Sequence, residues 1–331
     1  FNTGTNLAFN QVTDSTSNAA SIQNGGSVAP DYKYIANASA FSAAATTQPS
    51  VLMLVDLIGY TRVTSTTTTT AQTITNTLTT ISTFTADAST DTLTHSAYAL
   101  LPYTKVRLTT SATLPAGLSA GTDYYVIKVT DTTCKLATSY ANAVAGTQID
   151  ITDAGTGTHN IQTLYPRYTN GKGVKAFIWN TNATPMGAAT PNLSFPSYTN
   201  DTYTASRATP TVLPVGKTAG ANGLILYSGT GAGKYGPFVP FQNNDSGYGS
   251  IEQVQLSVSY VSGEFSIGYC KPLLTLPMTT IGVASEREFM SQVPGGLPRI
   301  YDGAALYWLI YNGAATPTNS AYYGHLDFAW G

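Results

Sequence analysis

The run Ser228-Gly229-Thr230-Gly231-Ala232-Gly233-Lys234-Tyr235 holds the ingredients of a phosphate-binding loop: glycines that free backbone N–H groups and a lysine that neutralises phosphate charge. The pattern G-x-x-x-x-G-K-[ST] fails twice, because Ser228 stands in the place of the first glycine and Tyr235 in the place of the magnesium-binding hydroxyl. A glycine-rich surface turn is expected instead. The three histidines, His95, His159 and His325, are too widely spaced for an H-x-x-H or H-E-x-x-H ligand pair. His325 falls on the polar face of the last strand, where a surface or interface role is expected, with a charge that responds to pH. Paired carboxylates for glycoside cleavage would have to come from acids such as Asp201, Asp245, Glu252, Glu264 and Asp302. Asp245 in Asn243-Asn244-Asp245-Ser246-Gly247 and Asp302 before Gly303 read as turn chemistry. Asp87, Asp91, Asp123, Asp131, Asp150 and Asp153 match no calcium-loop spacing and are expected at solvated loop ends. Neither a metal nor a cofactor is expected, and an enzyme is not.

What the chain has in abundance is contact chemistry. Its 22 tyrosines offer large, fairly rigid area with a polar end, as at subunit interfaces. Only 10% of the 331 residues are charged, against about 25% in ordinary soluble domains. The exterior is therefore expected to carry hydroxyls and amides that suit close packing against copies of the same chain. Fifteen Lys+Arg against 17 Asp+Glu, with no basic cluster, point away from nucleic acid. The densest apolar run, Val51 to Ile58, contains Asp56 and is far shorter than the about 20 residues of a membrane span. It reads as a buried strand, and no membrane partner is expected. No secretory signal opens the sequence, and Phe1 in place of Met is read as a processed, trimmed or incompletely identified start. Cys134 and Cys270 read as two separate buried thiols made in a reducing cytosol.

The elements that would carry these groups are strands. Val254, Leu256, Val258 and Tyr260 alternate with polar residues, and after Ser262-Gly263-Glu264 the alternation resumes at Phe265, Ile267 and Tyr269. The two runs predict a β-hairpin. Further strands are expected at Val174 to Trp179 after the Asn170-Gly171 turn, at Gly223 to Tyr227, and at Leu326, Phe328 and Trp330. Within the Thr-rich stretch from Thr64 to Thr83, Thr73, Thr75, Thr77 and Thr79 would share one face, with Ile74 and Leu78 on the other. Leu306-Tyr307-Trp308-Leu309-Ile310-Tyr311 is continuous, as expected of a strand covered on both faces, one of them by a neighbouring subunit. Two short helices are expected: one opened by the capping box Ser285-Glu286-Arg287-Glu288 with Phe289, Met290 and Val293 on its apolar side, ending before Pro294-Gly295-Gly296, and one from Ser139 to Val144 stopped at Gly146.

Residues 84–164 differ from their surroundings, gathering six aspartates, three lysines and Arg107 between closely spaced strands. Strand-like ends at Ile81–Phe84 and Ile161–Leu164 suit a module inserted into a host domain. The division is 1–83 for the first part of the host, 84–164 for the small β module and 165–331 for the rest of the host. The fold class is all-β, with a β-sandwich or jelly-roll-like host.

Within residues 85–160, the runs Thr90-Asp91-Thr92-Leu93-Thr94, Val106-Arg107-Leu108-Thr109-Thr110, Leu114-Pro115-Ala116-Gly117-Leu118, Asp123-Tyr124-Tyr125-Val126-Ile127 and Asp153-Ala154-Gly155-Thr156-Gly157-Thr158-His159 resemble a small β module that recurs in structural proteins of tailed bacteriophages. The resemblance covers about a quarter of the chain, and the module occurs on heads and tails alike. The flanks Tyr165 to Gly173 and Tyr323 to Trp330 look like structural proteins predicted from uncultured phages. No long spine helix of the usual tailed-phage major capsid protein is present. The resemblance therefore implies a virion protein made in the bacterial host cytoplasm: a capsid coat or decoration subunit that binds other virion proteins and copies of itself, as a trimer in the decoration case. Candidate interface residues are Leu306, Tyr307, Trp308, Tyr311, Tyr323, Phe328 and Trp330. The alternative is a tail or fibre protein binding host-surface glycans, and a third reading is a depolymerase.

Overall fold

A computed structural model of the chain describes residues 5–13, 21–29, 31–42, 50–180, 192–209, 213–214, 237–260, 263–290, 296–312 and 322–331. In chain order the first strands are β1 (Phe9–Gln11), β2 (Lys33–Ser42), β3 (Ser50–Val63) and β4 (Gln72–Thr73). There follow β5 (Thr79–Asp87), β6 (Thr92–His95), β7 (Lys105–Thr110), β8 (Tyr124–Lys128), β9 (Thr133–Ala137), α1 (Tyr140–Ala145) and β10 (His159–Thr163). The remainder comprises β11 (Lys175–Asn180), β12 (Asn192–Asn200), β13 (Leu213–Pro214), β14 (Tyr248–Leu256), β15 (Phe265–Met278), β16 (Ser285–Glu288), β17 (Arg299–Ile300), β18 (Leu306–Asn312) and β19 (Tyr322–Trp330). The protein is all-β.

Two fourteen-residue strands, β3 and β15, pair antiparallel along their whole length, from Val63 opposite Phe265 to Ser50 opposite Met278. β1 and β18 pair with the other edge of β3, and β11 pairs with β15. This sheet serves two cores. Ile58, Val63, Ile178, Phe265, Ile267 and Tyr269 meet Phe195, Tyr198, Tyr248, Ile251, Val254 and Leu256 of the β13-β12-β14-β4 sheet. Leu52, Leu54, Leu274, Leu276 and Leu306 meet Ile35, Ala38 and Ala40 of β2, whose own sheet includes β16, β17 and β19. Pro272 and Pro277 lie in the half of β15 beyond the reach of β11, where the strand has one ladder edge fewer to serve.

Asp56 interrupts the apolar run of β3 at the seam between these cores. Its carboxylate is fully buried and receives the Arg167 guanidinium, with Nε donating at 2.6 Å and Nη2 closing the fork. Arg167 also donates to the carbonyls of Val12 (2.8 Å) and Leu57 (2.7 Å), while the Ala305 N–H donates to Asp56 Oδ1 at 3.0 Å. Just beyond, Ile58 is an extra residue in β3, since Leu57 faces Cys270 and Gly59 faces Tyr269. The bulge reverses which residues point inward.

Residues from Thr79 to Thr163 form a closed six-stranded barrel in the order β10-β5-β6-β9-β8-β7. Leu93, Leu108, Val126, Cys134, Leu136 and Ile161 fill its interior, so it is a packed core without a channel. The expected helix at Ser139 is α1: the Ser139 hydroxyl accepts from Asn142 N–H at 3.1 Å, and Gly146 closes the helix at φ 75°. Entry and exit lie side by side, with Thr79 opposite Thr163. The barrel is clamped to the rest: Thr169 Oγ1 receives Leu101 N–H (3.0 Å), Tyr203 Oη receives Lys105 N–H (2.8 Å), and Arg299 lies over the rings of Tyr32 and Tyr301 while reaching the Tyr98 carbonyl at 3.4 Å.

Three expectations need correction. The runs around Val254 and Phe265 are strands but not a hairpin: β14 pairs with β12 and β4, whereas β15 pairs with β3 and β11. Their apolar sides face each other across the first core, which alternation alone does not distinguish from lateral pairing. The strand ends at Leu256, and Val258 is exposed. Ser285–Glu288 is a strand on the edge of β2, not a capped helix; four ladder partners outweigh a short helix with its unfavourable nucleus. The Thr-rich stretch keeps its alternation, with Ile74 buried and Thr73 and Thr75 exposed, but only Gln72–Thr73 and the part from Thr79 onward are strand. The expected strand at 223–227 and the glycine-rich run 228–235 lie outside the described residues.

Arg167→Ala leaves a buried carboxylate without its partner and should cost roughly 3–5 kcal/mol, read as a lowered urea midpoint by tryptophan fluorescence. The double change Asp56→Asn/Arg167→Met should recover much of the loss. A wild-type midpoint for Arg167→Ala would show that the pair does not anchor the fold.

Candidate assembly surface

β2 is the centre of a small outer sheet, with β16 and β17 along one edge and β19 along the other. Its inward residues Ile35, Ala38 and Ala40 join the second core. The outward face bears Asn37, Ser39 and Phe41, flanked by Tyr323, His325 and Asp327 of β19 and by Glu286 and Glu288 of β16. Tyr323 stacks on Phe41 with centroids 5.5 Å apart, and Ser39 Oγ lies 2.9 Å from His325 Nδ1. Asn37 Nδ2 donates to Glu286 (3.2 Å) and to Asp327 (3.4 Å), and His325 Nε2 lies 3.5 Å from Asp327 Oδ2. The polar centre of this face is thus cross-linked from strand to strand.

Exposed apolar side chains lie at both ends of this sheet. Of the nine exposed large apolar residues among those described, Ile281, Val283, Met290, Tyr323 and Trp330 belong to this sheet or its connections. Ile281 and Val283 flank Gly282, whose N–H donates to the Ser42 carbonyl at 2.9 Å, next to the Ser42–Tyr322 pair. Trp330 is 66% exposed and Tyr323 56%. A second group, Tyr103, Val129 and Val144, lines a barrel groove of about 700 Å3 beside the Lys128–Asp131 ion pair.

The expected interface residues divide accordingly. Tyr323 and Trp330 are exposed, and Phe328 is half-buried against the second core. Leu306 has no exposure and belongs to the chain's own interior. Tyr307, Trp308 and Tyr311 are half-buried, Trp308 against the second core and the tyrosines against a cluster on the opposite face of the β3 sheet that includes Val55, Leu57 and Leu309. Both faces of β18 are therefore packed within this chain. Sequence reasoning passed over Ile281 and Val283, and it placed Met290 on the apolar side of a short helix instead of on an exposed connection.

The other candidate residues serve the scaffold. Asp245 receives Arg207, Tyr198 Oη (2.6 Å) and Asn200 (2.8 Å); burial pushes its pKa up, but these donors win and hold it below the ordinary value. Glu264 pairs with Arg62 at 2.7 Å, and Asp302 receives Ser27 Oγ (2.8 Å) and Val28 N–H (3.1 Å). Asp201 receives Ser246 Oγ, and Glu252 receives Thr199 Oγ1 at 3.0 Å while burial raises its pKa. Barrel aspartates organise turns: Asp153 accepts from Ala116 and Gly155 N–H, and Asp91 from Ile151 N–H. His159 bridges Thr110 and the Ala154 carbonyl. His95 accepts from Ala97 N–H. Among the described residues no group of three or more His, Cys, Asp or Glu could hold a metal ion, and no helix is long and apolar enough to cross a membrane. Cys134 and Cys270 are unbridged and buried. No protein-family model, curated protein or solved structure matches the chain.

Burial, reinforced by Lys128, holds the His95 imidazole below its ordinary value of 6.5. Below about that pH the unfolded chain takes up a proton that the folded barrel refuses, so stability falls as pH drops. His95→Asn, which keeps an acceptor for Ala97 N–H, should flatten the decline in denaturation midpoint between about pH 7 and 5; an unchanged slope would remove His95 as its source. Gly324 lies so close to β2 that a Cβ would overlap the Ser39 carbonyl oxygen. Gly324→Val should loosen β19 and speed cleavage of the C-terminal strand in limited proteolysis, and an unaltered digestion pattern would contradict that.

Proposed function

We propose that this chain is a structural protein of a bacteriophage virion, a capsid coat or decoration subunit that works by associating with copies of itself and with the shell. The observation that carries this reading is the outer sheet: five of the nine exposed large apolar side chains among the described residues lie on it or its connections, in a chain with few charges. Singly scattered apolar residues need no explanation, but this concentration on one sheet favours a contact role for it. The resemblance of residues 85–160 to a module of tailed-phage structural proteins supports the same reading. It assigns the protein no reaction, and its location would be the assembled particle.

A second reading, a tail or fibre protein that binds host-surface glycans, is favoured by the barrel groove. There Tyr103 offers an aromatic surface beside the Lys128–Asp131 pair, and sugars stack on aromatic rings.

Purified protein should sediment as concentration-dependent oligomers and bind shells, and Tyr323→Glu/Trp330→Glu should reduce both at least several-fold. A persistent monomer at high concentration with no shell binding would overturn the virion reading. Removal of residues 84–164 separates the alternatives: loss of adsorption to cells with assembly intact would favour the glycan reading, whereas unchanged adsorption would remove it.

A further inference from the structure

The exposed edge of β19 differs from the outer face in what it can recognise. Among the described residues β19 pairs only with β2, so its other edge from Tyr323 to Trp330 has no ladder partner among them. Edge strands of monomers are usually guarded by lysine, proline or a bulge. β19 contains neither lysine nor proline. The irregularity beside it belongs to β2, where Ala36 is the extra residue, since Asp327 faces Asn37 and Phe328 faces Ile35. β19 itself therefore alternates without interruption, with Tyr323, His325 and Asp327 outward and Tyr322, Leu326 and Phe328 toward the core.

We propose that β19 pairs antiparallel with β19 of a second copy about a two-fold axis at Leu326, joining the two outer sheets into one. This rests on the self-association reading above and gives it a register. With Leu326 opposite its own equivalent, His325 stands opposite the second copy's Asp327, and Asp327 opposite its His325. Both residues are exposed on the same face, so each interface gains two complementary pairs. Gly324 stands opposite Phe328, giving a cross-strand ring to the glycine. Tyr322 stands opposite Trp330, the most exposed of the aromatic residues named above. Moving the axis along the strand breaks these matches: a move of one residue opposes His325 to His325 or Asp327 to Asp327, and a move of two places His325 opposite a residue without charge. Nine residues are fewer than the roughly 20–30 a side of a free-standing interface. The pairing is accordingly concentration-dependent in solution and reinforced by other contacts in an assembly.

Leu326→Cys tests the axis directly. Residues opposite each other in an antiparallel pair lie about 4.5–5.5 Å apart at Cα, within disulfide reach. Mild oxidation at high protein concentration should give a covalent dimer, and the buried Cys134 and Cys270 do not compete. Tyr323→Cys should not link to itself, because the two copies would be about 20 Å apart in this register. Absence of the Leu326→Cys dimer, or equal yields at the two positions, would overturn the pairing. Charge exchange keeps the test independent of that variant's folding. Asp327→Lys should weaken dimerisation about tenfold by sedimentation equilibrium, and His325→Glu/Asp327→Lys should restore it. Failure of either shift overturns the register. If wild-type protein still forms oligomers, the self-association reading survives that failure; if it forms none, that reading falls as well.

Discussion

The buried pair of Asp56 and Arg167 is the constraint on which the rest of the architecture depends. A lone carboxylate inside an apolar strand would be costly to desolvate, and an arginine satisfies it by supplying two parallel donors. The guanidinium also donates to the carbonyls of Val12 and Leu57, and Asp56 Oδ1 takes a further N–H from Ala305. Four stretches far apart in sequence are thereby fixed at one point: the segment after β1, the middle of β3, the chain leaving the barrel, and the approach to β18. The charge sits where Leu54 gives way to Ile58, between two hydrophobic cores. Its geometry sets the relation of one core to the other, which apolar packing alone would leave adjustable.

From that point the division of labour follows. One sheet is used twice, its β3–β15 ribbon closing the first core against β12 and β14 and the second against β2. A bulge at Ile58 exchanges the inward and outward sets so that both cores receive apolar residues from the same continuous strand. The second core places the outer sheet at the periphery, with its inner residues packed and its outer ones turned away from that core. The barrel has its own filled interior and is fastened to the host through backbone-directed bonds from Thr169, Tyr203 and Arg299.

Much of this was legible in the residues. The run from Val51 to Ile58 announced a buried strand, and residues 84–164 announced closely spaced strands, as the barrel contains. Ser139 and Gly146 marked the ends of α1 because caps are local chemistry. Pairing was not legible: Val254 and Phe265 belong to strands separated by only eight residues, yet they face one another across a core. At Ser285 a local capping pattern lost to the edge of β2, a partner almost 250 residues earlier. The interface set was half readable, since aromatic content singled out Tyr323 and Trp330 but gave no means of seeing that Leu306 is enclosed within its own chain.

The spacing of partners along the polypeptide has a consequence for biosynthesis. β3 emerges early, but the strands that cover its two edges over most of its length, β15 and β18, begin at Phe265 and Leu306. The barrel, by contrast, closes entirely with residues between Thr79 and Thr163. During translation the barrel can fold while the most apolar strand still waits for neighbours, so the nascent chain carries an unsatisfied sticky segment for some 200 residues of elongation. An early-folding barrel immediately downstream would separate that segment from those of nearby ribosomes, acting as a spacer while the host is still incomplete.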